Sequence, residues 1–172
     1  MLLTGAPGTG KTTVTRRLAE RLDDKRIAGF YTEEMRKRGE RRGFRLVTYD
    51  GSEAVIAHVD FPKTTRVSKY GVDVAAIDRA ADMALAPGAQ LYLVDEIGKM
   101  ECFSAIFVER MRRALESSVP VIATVAQRGG GFIAEVKARD DCELWKLTRA
   151  NRDSMPDEIV AWLAKRLRGR RS

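Results

Sequence analysis

The sequence predicts an α/β layer fold with a mostly parallel central sheet and an antiparallel hairpin region inserted after the first helix. Three observations predict it. The runs LYLVD at 91–95 and PVIATV at 120–125 are continuously apolar, as expected of strands covered on both faces. Segments with helical periodicity alternate with such strands along the chain. Between residues 27 and 59, three strand-like segments follow one another too closely for parallel crossovers, which need about a dozen residues each.

Residues 2–4 form a short apolar strand that runs into GAPGTGKT at 5–12. Residues 12–22 read as a helix: Val14, Leu18 and Leu22 recur every four positions, with Arg16, Arg17 and Arg21 on the outer side. Residues 27–34, 42–50 and 53–59 read as three antiparallel strands, with Gly39-Glu40 and Asp50-Gly51 supplying the turns. Residues 73–86 are helical along Val74, Ile77, Ala81 and Leu85, and Pro87-Gly88 ends that helix. After the strand at 91–95, residues 103–117 form an amphipathic helix through Phe103, Phe107, Met111 and Leu115. The strand at 120–125 follows. Gly129-Gly130-Gly131 precedes a short helix at 132–139, and 142–147 is the last strand. Pro156 sits in the first turn of a terminal helix, with Asp157 and Glu158 at its start, Lys165 and Arg166 near its end, and Ile159, Val160, Leu163 and Leu167 facing the core.

At 172 residues, without repeats or a Pro/Gly/Ser linker, the chain is expected to form one domain over 1–172. Cys102 and Cys142 are the only cysteines and are expected to be free, buried thiols of a reducing compartment. His58 is the only histidine and no CxxC pair occurs, which argues against a zinc centre. MLLTG is too short for a signal peptide or anchor. No run approaches the ~18 apolar residues of a membrane span, so a cytoplasmic monomer with no membrane partner is expected. The net charge of +7 suits nucleic acid, an anionic membrane or a small polyphosphate ligand. The basic tail at 165–172 reads as a solvated, partly disordered end.

The stretch at 5–12 completes the pattern G-x-x-x-x-G-K-[ST], between a strand and a helix as that motif requires. Gly5, Ala6, Pro7, Gly8, Thr9 and Gly10 are expected to wrap backbone N–H groups around phosphates, aided by the helix N-terminus. Lys11 would reach the β- and γ-phosphates, Thr12 would bind Mg²⁺, and Thr13 would touch the α-phosphate. Asp95, ending its apolar strand, fits the second protein ligand of Mg²⁺. Glu96 comes next and can point past the metal as a general base toward water. Gly98 permits close backbone approach, Lys99 adds charge, and Glu101 would cap the next helix or hold a basic residue. Thr124 and Gln127, near the end of the neighbouring strand, are candidate sensors of the γ-phosphate.

Four segments together resemble the small nucleoside-triphosphatase family that includes the cancer-related nucleoside triphosphatases: GAPGTGKTT at 5–13, GFYTEEMRKRGERRGF at 29–44, LVDEIGKME at 93–101 and LTRANRDSMPDEI at 147–159. The resemblance spans nearly the whole chain in order. It implies a three-layer P-loop NTPase fold, RecA-like, of the additional-strand, catalytic-glutamate division. It also implies Mg²⁺-dependent hydrolysis of ATP, GTP and other triphosphates to diphosphate and phosphate. By position, it gives phosphate binding to residues 5–12, Mg²⁺ to Asp95 and the base to Glu96. Two departures stand out: only four residues precede the loop, and Ala126 falls where relatives often carry a polar or histidine residue.

Arg36, Arg38, Arg41 and Arg42 cluster near the hairpin turn. They would either supply an arginine to the transferring phosphoryl group, shield a sheet edge, or contact nucleic acid. In Asn151-Arg152-Asp153, Arg152 would stack on the base, or the segment would form a turn that caps the terminal helix. No guanine-selective NKxD motif is present there. The expected activity is triphosphate hydrolysis. A P-loop kinase for a nucleotide or nucleic-acid acceptor, and a nucleotide-dependent RNA- or DNA-binding module, are the alternatives.

Overall fold

The computed structural model describes residues 1–168. Among these described residues, nine strands form one sheet: β1 (Leu2–Thr4), β2 (Ile27–Lys37), β3 (Glu40–Thr48), β4 (Glu53–His58), β5 (Arg66–Val67), β6 (Tyr70–Val72), β7 (Leu91–Ile97), β8 (Val121–Val125) and β9 (Leu144–Lys146). Their order is β5-β6-β4-β3-β2-β7-β8-β1-β9. The half from β2 to β9 is parallel, and the half from β2 to β5 is antiparallel. The hairpin region is therefore continuous with the main sheet, because β2 pairs with β7 on one edge and β3 on the other. Two short strands, β5 and β6, were not expected; at two and three residues they are too brief to leave a periodic signal.

Five α-helices of the described residues cover the faces: α1 (Lys11–Arg21), α2 (Val74–Ala84), α3 (Ala105–Glu116), α4 (Phe132–Lys137) and α5 (Met155–Arg168). Strand alternation sorts the core into two layers. Leu3, Leu91, Leu93 and Ile122 pack with Val14 and Leu18 of α1 and with Ile159 and Leu163 of α5. Leu2, Tyr92, Val94 and Ala123 face the opposite way, onto Ile77 of α2, Phe107 of α3 and Phe132 of α4. The result is the three-layer sandwich expected. Arg17 and Arg21 of α1 pair with Asp153 and Asp157, tying α1 to the start of α5.

Several expected boundaries shift. β2 runs on to Lys37, and β7 continues past Asp95 to Ile97. Phe103 lies in a single 3₁₀ turn before α3 and is 39% exposed, so the buried stripe of that helix starts at Phe107. The cap of α3 is Ser104, which accepts from the Phe107 amide at 2.8 Å and bonds Asp78 of α2. Lys165 to Arg168 belong to α5, and the remainder of the basic tail lies outside the described residues. Cys102 and Cys142 are free and half-buried rather than fully buried, and burial raises both thiols, Cys102 to about 12. Among the described residues, no helix is long and apolar enough to cross a membrane.

Candidate active site

The carboxyl ends of β1, β7 and β8 converge, with β8 standing between the other two. The loop Gly5–Gly10 leaves β1 and turns into α1. Gly10 is left-handed at φ 98°, a conformation that glycine adopts without a steric penalty, and Gly8 has φ 76°. Gly5 is fixed by crowding: a Cβ there would meet the Leu147 carbonyl oxygen at 2.6 Å. Thr9 is nearly buried and closes the loop on itself, its hydroxyl donating to the Ala6 carbonyl at 2.8 Å. Lys11 Nζ folds back across the loop and donates to the Gly5 carbonyl at 3.2 Å.

A cleft of about 440 Å³ opens above this loop. Gly5, Pro7, Gly8, Lys11 and Thr12 line one wall, and Glu96, Ala126, Gln127 and Arg128 another. The hairpin closes it with Thr32, Glu34, Arg41 and Phe44. Lys11, Thr12 and Glu96 thus meet in one cavity, although 84 positions separate Thr12 from Glu96 (96 − 12).

Asp95 is out of solvent beneath the cleft, 1% exposed. Its Oδ1 accepts from the Thr124 hydroxyl at 2.7 Å, while its buried Oδ2 forms no hydrogen bond. Burial raises the Asp95 pKa; the Thr12 and Thr124 hydroxyls and the charge of Lys11 oppose that shift. An orphaned carboxylate oxygen beside a threonine hydroxyl is the donor set a hard cation such as Mg²⁺ takes. Glu96 is partly buried, and burial raises its pKa too, against the opposing charges of Lys11 and Lys137.

Beyond Glu96, Gly98 turns the chain against Glu101. Glu101 is 5% exposed, its Oε2 lies 2.8 Å from where a Gly98 Cβ would stand, and burial pushes its pKa to about 8. Among the described residues it neither caps α3 nor pairs with a basic residue; it packs into the turn that carries Glu96. Lys99 is exposed and lines a smaller adjoining cavity with Glu96, Gly98, Met100 and Glu101. Thr124 is occupied by Asp95, which leaves Gln127 as the polar side chain from the end of β8 facing the cleft.

Thr13 is exposed on the first turn of α1. Arg152 lies outside the main cleft but beside the loop, its Cδ 3.6 Å from a Cβ built on Gly10. The neighbouring residues make the expected turn. Asn151 Oδ1 accepts from the Thr148 amide at 2.7 Å and its carbonyl accepts from the Met155 amide at 3.0 Å, while Asp153 pairs with Arg17 instead of capping α5. Sequence reasoning missed Glu34, Phe44 and Arg128 as cleft residues. All three arrive through the hairpin or a loop, where spacing carries no signal.

Comparison with known proteins matches residues 1–160 to the NTPase family. The nucleoside-triphosphatase THEP1 of Thermotoga sp. strain RQ2 is 38% identical over 166 residues, covering 95% of this chain and 94% of that protein. The human cancer-related nucleoside-triphosphatase is 33% identical, covering 93% and 94%. The crystal structure of THEP1 from Aquifex aeolicus superposes with a TM-score of 0.86 at 33% identity, over 95% of this chain and 98% of that one. The solution structure of the human protein gives 0.82 at 31% identity, over 95% and 96%. With its loop, its acidic pair and its nine-stranded sheet in this arrangement, the chain belongs to the NTPase family of nucleoside-triphosphatases.

Proposed function

We propose that this protein hydrolyses nucleoside triphosphates to diphosphate and phosphate, with Mg²⁺ and with broad tolerance of the base. The observation that carries the reading is the meeting of Lys11, Thr12 and Glu96 in one cleft over the orphaned Oδ2 of Asp95. The loop amides and the N-terminus of α1 would hold the phosphates, and Lys11 would exchange the Gly5 carbonyl for β- and γ-phosphate oxygens. Thr12 and Asp95 would hold Mg²⁺, which supplies charge neutralisation of the phosphates when bound. Glu96 accepts a proton from water as the water oxygen bonds to the γ-phosphorus and the bond to the β-phosphate oxygen breaks. Its partial burial raises its basicity, which suits a proton acceptor. Base tolerance is supported by the exposed guanidinium of Arg152 beside the loop, since stacking reads a ring face rather than an edge.

Phosphate release from ATP, GTP, CTP and UTP with and without Mg²⁺ tests this. Glu96→Gln is expected to lower kcat by roughly 10² to 10⁴ while nucleotide binding persists. Normal turnover by that variant would remove Glu96 from the base role.

One observation favours a second reading, transfer to a hydroxyl-bearing acceptor. The cleft continues past Glu96 into a basin bordered by Arg36, Lys69, Tyr70 and Met100. Radiolabelled γ-phosphate appearing on an added acceptor faster than in free phosphate would support it.

A further inference from the structure

Four arginines cluster near the turn of the hairpin, and the structure gives them different surroundings. Arg42 pairs with Asp60, its Nη2 2.9 Å from Oδ1. Arg38 sits at the turn with φ 52°. Arg36 donates to Glu34 and to the Gly39 carbonyl. Arg41 alone of the four lines the cleft that holds Lys11 and Glu96.

A β-bulge puts it there. Along β3, Phe44 lies opposite Glu34 and Gly43 opposite Met35, but Arg36 lies opposite Arg41, so Arg42 is the extra residue. Plain alternation would place Arg42, not Arg41, on the face of Phe44. The bulge reverses this, as bulges re-aim side chains. Arg41, Phe44, Glu34 and Thr32 consequently share the face that closes the cleft. The Arg41 guanidinium lies over the Phe44 ring at 5.5 Å, and Phe44 is steadied by an edge contact with Tyr70 at 5.2 Å.

We propose that Arg41 is a catalytic arginine supplied from within the chain, held on Glu34 and released onto the γ-phosphoryl oxygens during transfer. The inference rests on the hydrolytic reading above. A guanidinium is planar, permanently charged and able to bridge two phosphate oxygens, which suits charge spreading over the phosphoryl group. Its tether is light. Arg41 Nη1 donates to Glu34 Oε1 at 2.6 Å, with the side chains 44% and 39% exposed, and exposed pairs hold weakly. Arg36 occupies the other oxygen, Oε2, at 2.6 Å. Glu34 therefore keeps a counter-charge when Arg41 leaves. The Phe44 ring offers a surface on which the guanidinium moves without losing its contact. Arg128 also lines the cleft, but from an exposed segment that runs into Gly129–Gly131, with no comparable platform.

The test measures kcat, KM, affinity for the diphosphate, and affinity for its aluminium-fluoride complex, which imitates the phosphoryl group in transfer. Arg41→Ala is expected to lower kcat at least roughly a thousandfold, the low end of the range such arginines supply, with KM changed less than about threefold. Affinity for the aluminium-fluoride complex should fall in parallel while diphosphate affinity holds. Arg41→Lys should recover part of the loss. Arg42→Ala, which removes the same charge from the same hairpin, should match the parent protein, and Glu34→Gln should raise kcat. An Arg41→Ala enzyme within about threefold of the parent kcat overturns the proposal, as does an equal loss in Arg42→Ala. If Arg128→Ala alone gives the selective loss, the role belongs to Arg128 and the proposal fails. If the parent protein releases no phosphate and binds no aluminium-fluoride complex, the hydrolytic reading fails instead.

Discussion

Thr124 Oγ1 donates a 2.7 Å hydrogen bond to Asp95 Oδ1 between neighbouring strands, and both side chains are out of solvent. The bond fixes one carboxylate oxygen and leaves the other for the cleft. Thr124→Val keeps the shape and removes the donor. A buried oxygen left without its partner costs about 1–3 kcal/mol, so chemical denaturation should show a loss of that order. The same change should raise the Mg²⁺ concentration needed for half-maximal activity roughly tenfold or more, because the partner that orients the proposed metal ligand Asp95 has gone. A variant that loses stability without a shifted Mg²⁺ dependence would make Thr124 purely a packing residue.

Glu101 gives the protein a pH signature of its own. Its carboxyl is raised from 4.5 to about 8 by burial. The folded state thus holds a proton that the unfolded state has released between those two values. Stability from this group is fully present below pH 4.5, declines as pH rises, and reaches its low plateau above about 8. Glu101→Gln imitates the protonated acid. Its melting temperature should change less than that of the parent between pH 5 and 9, leaving the variant relatively more stable at the alkaline end. Parallel melting curves for the two proteins across that range would show that Glu101 is already ionised in the fold.

Gly98 and Glu101 should be energetically coupled. A Cβ on Gly98 would stand 2.8 Å from Glu101 Oε2 and 3.6 Å from Glu96 Cγ. Gly98→Ala is expected to displace Glu101, disturb Glu96, and lower both stability and kcat. Shortening the neighbour by Glu101→Ala makes room for the methyl group. In a double-mutant cycle the combined stability loss should fall short of the sum by roughly 0.5–3 kcal/mol. Simple additivity would show that the methyl group is accommodated without touching Glu101.

Much of this fold was legible because burial leaves a pattern. LYLVD and VIATV lie in strands covered on both sides, and GAPGTGKT could sit only between a strand and a helix. Asp95 and Glu96 followed from their place near the end of such a strand. The hairpin was legible as three strands but not in its facing, because one extra residue at Arg42 exchanges the faces of everything on one side of it. From sequence Glu101 reads as a cap or an ion-pair partner, since a carboxylate is almost never fully buried without a partner. Thr124 read as a phosphate sensor because the sequence does not show that Asp95 claims its hydroxyl.

Arg152 tests whether the base is held by stacking. The residue is exposed and its Cδ lies 3.6 Å from a Cβ built on Gly10, at the α1 side of the loop and away from Glu96's wall of the cleft. A stacked guanidinium at an exposed site contributes about 0.5–1 kcal/mol, and up to about 2 when desolvated. Arg152→Ala should therefore raise KM by roughly two- to thirtyfold. The rise should be similar for ATP, GTP, CTP and UTP, with kcat nearly unchanged, because the contact is the same in the ground state and during transfer. A rise confined to the purines would point to ring area as the determinant. A rise for GTP alone would require an edge-reading hydrogen bond in place of stacking. An unchanged KM for all four would return Arg152 to the turn, where Asn151 already does the structural work.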